Sequence, residues 1–286
     1  EHRAQDFLDA FRDPEIDAIL CAIGGDDTYR LAPYLFSNDE LKNAVTKKPF
    51  LGFSDTTLNH FMLHKVGLPT FYGQAFLPDV CELAPEMLPY TKRYFEEFLK
   101  TGTIREVRPS ELWYTSRTDF SPEALGTELP AHKNTGFELL QGPAQFEGEI
   151  LGGCIDSMYE MFSGWRYGDM PEVCRNYGLF PSMDDWRGKI LLMESCEEYM
   201  PPETYKKALE TLQETGVFDA VSGVLVGKPM DDMYHAEYKK LLVSIIANKE
   251  LPILCNINVG HAQPRCILPF GVPAHVDADA QVIRFG

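Results

Sequence analysis

Short apolar runs that stop at a glycine or serine turn and pass directly into helix-spaced residues recur along this chain. That rhythm constrains the fold more than any other feature. Ala4, Phe7, Leu8 and Phe11 recur at helical spacing, and Asp13-Pro14 ends that helix before the run DAILCAI at 17–23. Gly24-Gly25 come next, then a helical segment carrying Leu31 and Leu35, then the strand PFLGF. Alternation of this kind predicts an α/β protein built from βαβ units on a parallel sheet, where ligands sit beyond the carboxyl ends of strands. Both Gly24-Gly25 and the Ser54 of KPFLGFSDTTLNHF fall at such ends.

The second half repeats the pattern with KILLMES (189–195), a helix from Pro201 with Tyr205, Ala208, Leu209 and Leu212 on one face, and AVSGVLVG (220–227). A helix over 235–248 and the strand LPILCNINVGH follow, and AHVDADAQVIRF alternates like a hairpin. The stretch from about 100 to 147 lacks this rhythm and reads as a linker and domain entry. The expected division is therefore 1–105, carrying Ser54, and 106–286, a linker followed by a second α/β domain.

Charge and cysteine content narrow the partners. The net charge is −17, with no Lys/Arg cluster to track a phosphate backbone, which argues against nucleic acid and for a small-molecule or peptide ligand. No apolar run is long enough for a membrane span, and the opening EHRAQDFLDAF is charged and helical rather than a signal peptide. The seven cysteines are odd in number and scattered through apolar stretches, which suits a reducing compartment and places the protein in the cytosol. Neither C-x-x-C nor H-E-x-x-H occurs, so no metal site is expected.

Ser54 precedes Leu58, Phe61, Met62 and Val66, spaced for a helix face. Its oxygen is expected at the positive end of a helix dipole, with the Asp55 N–H nearby to bind an oxyanion. Thr56 stands where the last glycine of a G-x-S-x-G elbow would be, so the serine reads either as a nucleophile or as a helix cap. One N–H of Gly24-Gly25 is a candidate second oxyanion donor; the alternative is a tight turn capped by Asp26 or Asp27.

A serine hydroxyl needs a base, and the base needs an orienting carboxylate. Among seven histidines only His261 follows a strand and a glycine; His60 and His64 are expected to point away along the helix, and His2, His132, His235 and His275 read as surface or loop positions. Glu194 ends KILLM, where an acid is costly if buried without a partner, while Glu197 and Glu198 read as a solvated loop. A purely structural role for either residue stays open on spacing alone. Arg30 is the nearest cation for a substrate carboxylate, and Trp113, Tyr114 and Trp165 are candidates to stack on a nucleotide or sugar, or else core aromatics. Two other readings remain: a non-catalytic ligand-binding protein on the same fold, and a cysteine enzyme using Cys154 or Cys196.

In order and spacing, DAILCAIGGDDTYRLAPYL, KPFLGFSDTTLNHF, GEILGGCIDSM, ILLMES and ILCNINVGHAQP resemble the LD-carboxypeptidase serine peptidases (family S66), which include the microcin C immunity peptidases. The resemblance covers nearly the whole chain. It implies a Ser-Glu-His triad on Ser54, Glu194 and His261, and an oxyanion hole from the N–H groups of Gly25 and Asp55. It also implies a Rossmann-like N-terminal domain with a parallel sheet, a C-terminal domain supplying part of the active site, no metal or organic cofactor, and homodimers. Family members carry a strand and helices ahead of the segment matching residue 1, so the N-terminal sheet is expected to lack its first strand. The turn Ile23-Gly24-Gly25-Asp26-Asp27, where LD-carboxypeptidases carry Arg-Gly-Gly-Tyr-Gly, is more similar to the microcin-immunity branch.

Overall fold

The computed structural model describes residues 1–286. Its strands, in chain order, are β1 (Ile19–Leu20), β2 (Phe50–Gly52), β3 (Phe71–Tyr72), β4 (Glu106–Val107), β5 (Leu112–Tyr114), β6 (Ala131–Lys133), β7 (Glu138–Gln141), β8 (Gln145–Cys154), β9 (Ile190–Glu194), β10 (Gly223–Gly227), β11 (Ile253–Ile257), β12 (Leu268–Pro269), β13 (Pro273–Asp277) and β14 (Val282–Phe285). They form a four-stranded sheet ordered β1-β2-β3-β12, an eight-stranded sheet ordered β4-β14-β13-β8-β9-β10-β11-β7, and the two-stranded ribbon β5-β6.

The expected α/β architecture is present. β1, β2 and β3 run parallel, as do β8, β9, β10 and β11, and helices fill the connections. Ile190, Leu191, Leu192 and Met193 are all buried, which is how a central parallel strand covered on both faces reads: as an unbroken apolar run rather than an alternation. β13 and β14 form the hairpin that the C-terminal alternation predicts. No helix is long and apolar enough to cross a membrane.

The segment read as a linker does more than connect. Its β4 pairs with β14 at one edge of the large sheet, and its β7 pairs with β11 at the other. These strands have two and four residues, too short for a period to emerge, and their partners lie more than a hundred positions away.

Two glycines of β8 allow close approaches beside the site. Gly152 of β8 opposes Leu192 of β9 with φ +137°, and a Cβ there would lie 2.1 Å from the Leu192 carbonyl oxygen. A Cβ on Gly153 would lie 2.3 Å from Thr57 Oγ1, so only glycine lets the helix Thr57–Lys65 settle on β8. Thr57 Oγ1 then accepts a 2.9 Å hydrogen bond from the Cys154 N–H. Gly152→Ala is expected to cost about 1–3 kcal/mol through strain at this contact, read as a lower urea midpoint with an unchanged slope.

Candidate active site

Ser54 stands at the end of β2, where a 3-10 turn (Ser54–Thr56) leads into the helix Thr57–Lys65. Its φ is +67°, a left-handed conformation that a residue with a Cβ adopts only when its surroundings enforce it. Several contacts do so. The Ser54 N–H donates to the Tyr72 hydroxyl at 3.1 Å, Thr57 Oγ1 donates to the Ser54 carbonyl at 2.7 Å, and Thr56 Oγ1 donates to the Phe53 carbonyl at 2.6 Å. Thr56 therefore secures the turn by folding its hydroxyl back onto the chain. The glycine requirement has moved elsewhere: a Cβ on Gly24 would lie 2.6 Å from Ser54 Cβ, and one on Gly52 would lie 2.9 Å from Thr56 Oγ1.

His261 and Glu194, 67 residues apart, meet Ser54 at this corner. His261 Nε2 lies 3.0 Å from Ser54 Oγ, and Nδ1 lies 2.7 Å from Glu194 Oε2. The same Glu194 oxygen accepts the His261 backbone N–H at 3.2 Å, while Oε1 accepts the Tyr72 hydroxyl at 2.6 Å. Glu194 is thus a buried acid with three donors, which answers the cost of burying it. Gly260 is obligatory here as well: its φ is +86°, and a Cβ would fall 2.3 Å from Glu194 Oε2.

Two neighbouring groups steady the histidine segment. Arg265 donates through Nη2 to the His261 carbonyl at 2.8 Å and through Nε to the Gly260 carbonyl, and its Nη1 pairs with buried Asp79 at 2.9 Å. The Phe53 ring meets the imidazole edge-on, with centroids 5.0 Å apart. Burial alone would lower the His261 pKa; the carboxylates of Glu194 and Glu197 outweigh it and raise the pKa to about 10. Glu197 Oε2 lies 3.0 Å from Nε2, and that contact brings the Glu197 pKa down to about 2.

Gly25, Ser54 and Asp55 line one cleft, together with Asp26, Cys154, Asp156, Ser157, Glu160, Arg166, Cys196, Glu197 and Glu198. Asp55 Oδ2 accepts the Thr28 N–H at 2.9 Å, which ties the glycine turn to the turn bearing Ser54. Neither Asp26 nor Asp27 caps the turn with its side chain. Asp26 instead accepts from Arg166 and Tyr167, and Asp27 pairs with Arg3. Burial pushes the Glu160 carboxyl up to about 7 despite Arg166 beside it.

The remaining candidates lie elsewhere. Arg30 is exposed, 3.6 Å from Asp169 and above the rings of Tyr29 and Tyr167; Trp113 stacks on His132; Trp165 is exposed under the Arg166 guanidinium. None of the three lines the cleft around Ser54. His60 is buried against Thr70 and the Gly52 carbonyl, and burial lowers its pKa to about 4. Cys154 places a thiol near Glu194 and His261, the three polar atoms lying within 4.8 Å of one another. Burial raises the Cys154 pKa well above the ordinary thiol value, so it is a thiol rather than a thiolate nucleophile.

Sequence reasoning missed Tyr72, Arg265, Asp79 and the approach of Glu197 to the imidazole. Tyr72 could have been suspected from FYGQ, where a strand's tyrosine precedes a glycine as the other strand ends do.

Residues 1–73 match the LD-carboxypeptidase N-terminal domain and residues 147–276 match the LD-carboxypeptidase C-terminal domain. The chain belongs to the LD-carboxypeptidase family. It is 27% identical to the microcin C7 self-immunity protein MccF of Escherichia coli over 98% of this chain and 76% of that protein. It superposes on an MccF-like protein from Streptococcus pneumoniae, solved in complex with AMP, with a TM-score of 0.98 and 60% identity over 100% of this chain and 83% of the other. MccF in complex with glutamyl sulfamoyl guanosine matches with a TM-score of 0.78 and 25% identity, over 99% and 79% of the two chains. Within this family of serine carboxypeptidases, the chain lies on the MccF-like side.

Tyr72→Phe removes the donor to Glu194 and the acceptor of the Ser54 N–H in a buried place. It is expected to lower stability by about 1–3 kcal/mol, measured by urea unfolding.

Proposed function

We propose that this chain is a serine hydrolase that cleaves the amide-type bond of an aminoacyl or peptidyl nucleotide, or of a short peptide near its free carboxyl end, through an acyl-enzyme. The observation that carries the reading is the hydrogen-bonded line Ser54–His261–Glu194, of which Ser54 lines the cleft. Residues 1–105 bring the nucleophile and residues 106–286 the base and its carboxylate. The nucleotide form is favoured over a murein peptide by the likeness to MccF-like proteins, of which one was solved with AMP and one with glutamyl sulfamoyl guanosine.

In this mechanism Ser54 Oγ attacks the carbonyl carbon while its proton passes to His261 Nε2. Glu194 holds the imidazole by Nδ1 and steadies its positive form. The N–H groups of Gly25 and Asp55, which donate to no protein acceptor, receive the oxyanion. The carbon–nitrogen bond then breaks, and Nε2 returns its proton to the leaving nitrogen. Water attacks the resulting ester, giving one proton to Nε2; that proton goes back to Oγ as the acid departs. General base catalysis contributes about 10²–10⁴-fold and an oxyanion donor about 10²–10³-fold. The family resemblance adds the expectation of a homodimer, and the scattered cysteines that of a cytosolic location; sedimentation would test the first.

Aminoacyl sulfamoyl adenosine and a murein tetrapeptide, incubated separately with the protein, should separate the substrate classes. Cleavage of the nucleotide analogue by the wild type, with at least a thousandfold loss in a Ser54→Ala protein of unchanged melting temperature, is expected; retained turnover would identify a different nucleophile. Because the His261 pKa is raised above its ordinary 6.5 to about 10, the base is protonated at neutral pH in the free protein. kcat/KM should therefore climb with pH through the neutral range, and a flat profile from about pH 5 to 8 would exclude His261 as base.

A further inference from the structure

One nitrogen is claimed twice. His261 Nε2 lies 3.0 Å from Ser54 Oγ and also 3.0 Å from Glu197 Oε2. A ring nitrogen carries at most one hydrogen. An ionised carboxylate at this distance stabilises the charged ring, and a charged ring carries Nε2–H, which cannot take the serine proton. With Nδ1 already facing Glu194 Oε2, the imidazole held between two carboxylates is a cation. The arrangement is a base that has already been used.

The leaving nitrogen of a substrate must come within hydrogen-bond reach of the same Nε2 to be protonated, and that approach is where the Glu197 carboxylate sits. Glu197 is suited to being moved. It lies on the loop between β9 and the helix Pro202–Glu214, its side chain is 62% exposed, and His261 is its only ion-pair partner. Its neighbours are tied down: the Cys196 backbone N–H donates to Asp156 Oδ2 at 3.0 Å, and the Glu198 carboxylate accepts from Arg166 Nη2 at 2.7 Å. The side chain can therefore swing while its loop stays.

Resting on the hydrolase reading above, we propose that Glu197 is a displaceable latch on the base. It occupies Nε2 of His261 in the ligand-free protein and must be expelled by the leaving-group end of a bound substrate before Ser54 can be activated. The charged and titratable groups facing the imidazole are Glu194 from β9, with the Tyr72 hydroxyl of β3 behind it, Glu197 from the loop, and Cys154 and Asp156 from β8 and the helix it enters. Arg265, backed by Asp79, faces it from its own segment, and Arg166 from the cleft wall. Of these, Glu197 alone combines direct contact with Nε2 and an exposed side chain. The raised pKa of His261 and the lowered one of Glu197 agree with the pairing. Glu197 is in these terms a positioning residue, since it acts through His261.

The test compares wild type with Glu197→Ala. The first readout is the rate at which a fluorophosphonate labels Ser54 in the ligand-free protein at pH 7. The second is the pH dependence of kcat/KM and of kcat on one aminoacyl sulfamoyl adenosine. The free-enzyme profile, kcat/KM, reports the latched base, and kcat reports the complex from which the latch has gone. Expected are about tenfold faster labelling and an acid limb of kcat/KM lowered by about one pH unit, with the limb of kcat in place. A residue that merely supports the loop would leave the separation between the two limbs as it was. Equal labelling and superimposable limbs in an active protein overturn the latch alone. Labelling or turnover that survives Ser54→Ala overturns the hydrolase reading and the latch with it.

Discussion

The carboxylate of Glu194 is the interaction on which the rest of the site depends. It belongs to the eight-stranded sheet, yet one of its three donors, the Tyr72 hydroxyl, comes from the four-stranded sheet. That hydroxyl also accepts the Ser54 N–H, so a single oxygen touches both the Ser54 backbone and the acid that holds the His261 imidazole. A buried carboxylate with one donor missing costs more than the donor contributes when present. The two sheets are therefore held in one relative placement by a group that tolerates no looser fit. Gly260 permits it by leaving no side chain in the carboxylate's place, and Gly153 permits it by letting the helix that follows Ser54 rest on β8.

The strained backbone at Ser54 belongs to the same arrangement. A left-handed serine is unfavourable by itself, and here it is paid for by the hydrogen bonds of Thr56, Thr57 and Tyr72 and by the bare Cα of Gly24. The strain turns Oγ out of the strand and toward the imidazole, where a relaxed helix cap would turn it back onto the first free N–H groups of the helix. Asp55 extends this order to the neighbouring turn by binding the Thr28 N–H, so the two candidate oxyanion donors are set relative to each other by a side chain rather than by loop stiffness.

Much of this was legible in the residues, and the illegible part has a common cause. β9, β10 and β11 are apolar runs bounded by turns, so Glu194 and His261 could be placed at strand ends from local pattern alone. Tyr72 reads as one more aromatic in a strand; its meaning lies in a contact across 122 positions. Glu197 reads as a solvated acid, and its exposed side chain agrees; the fold adds that His261 is within its reach. Arg30, Trp113 and Trp165 carry suitable chemistry, but proximity in sequence to a glycine turn or an apolar start does not specify a direction, and their side chains meet Asp169, His132 and Arg166 instead. The edge strands β4 and β7 were invisible for the same reason: two to four residues acquire a structural identity only from the strand beside them.

β12 pairs antiparallel with β3, so the chain, after building most of the large sheet, returns to complete the small one. The strand that bears Tyr72 thus has a neighbour made of residues 268 and 269, just past the imidazole. Without that return the first half of the chain has neither the strand that flanks the Tyr72 hydroxyl nor an imidazole beside Ser54, however well it has folded. The pairing that completes the small sheet and the contact that gives Ser54 its imidazole partner therefore form together, from one stretch of nine residues.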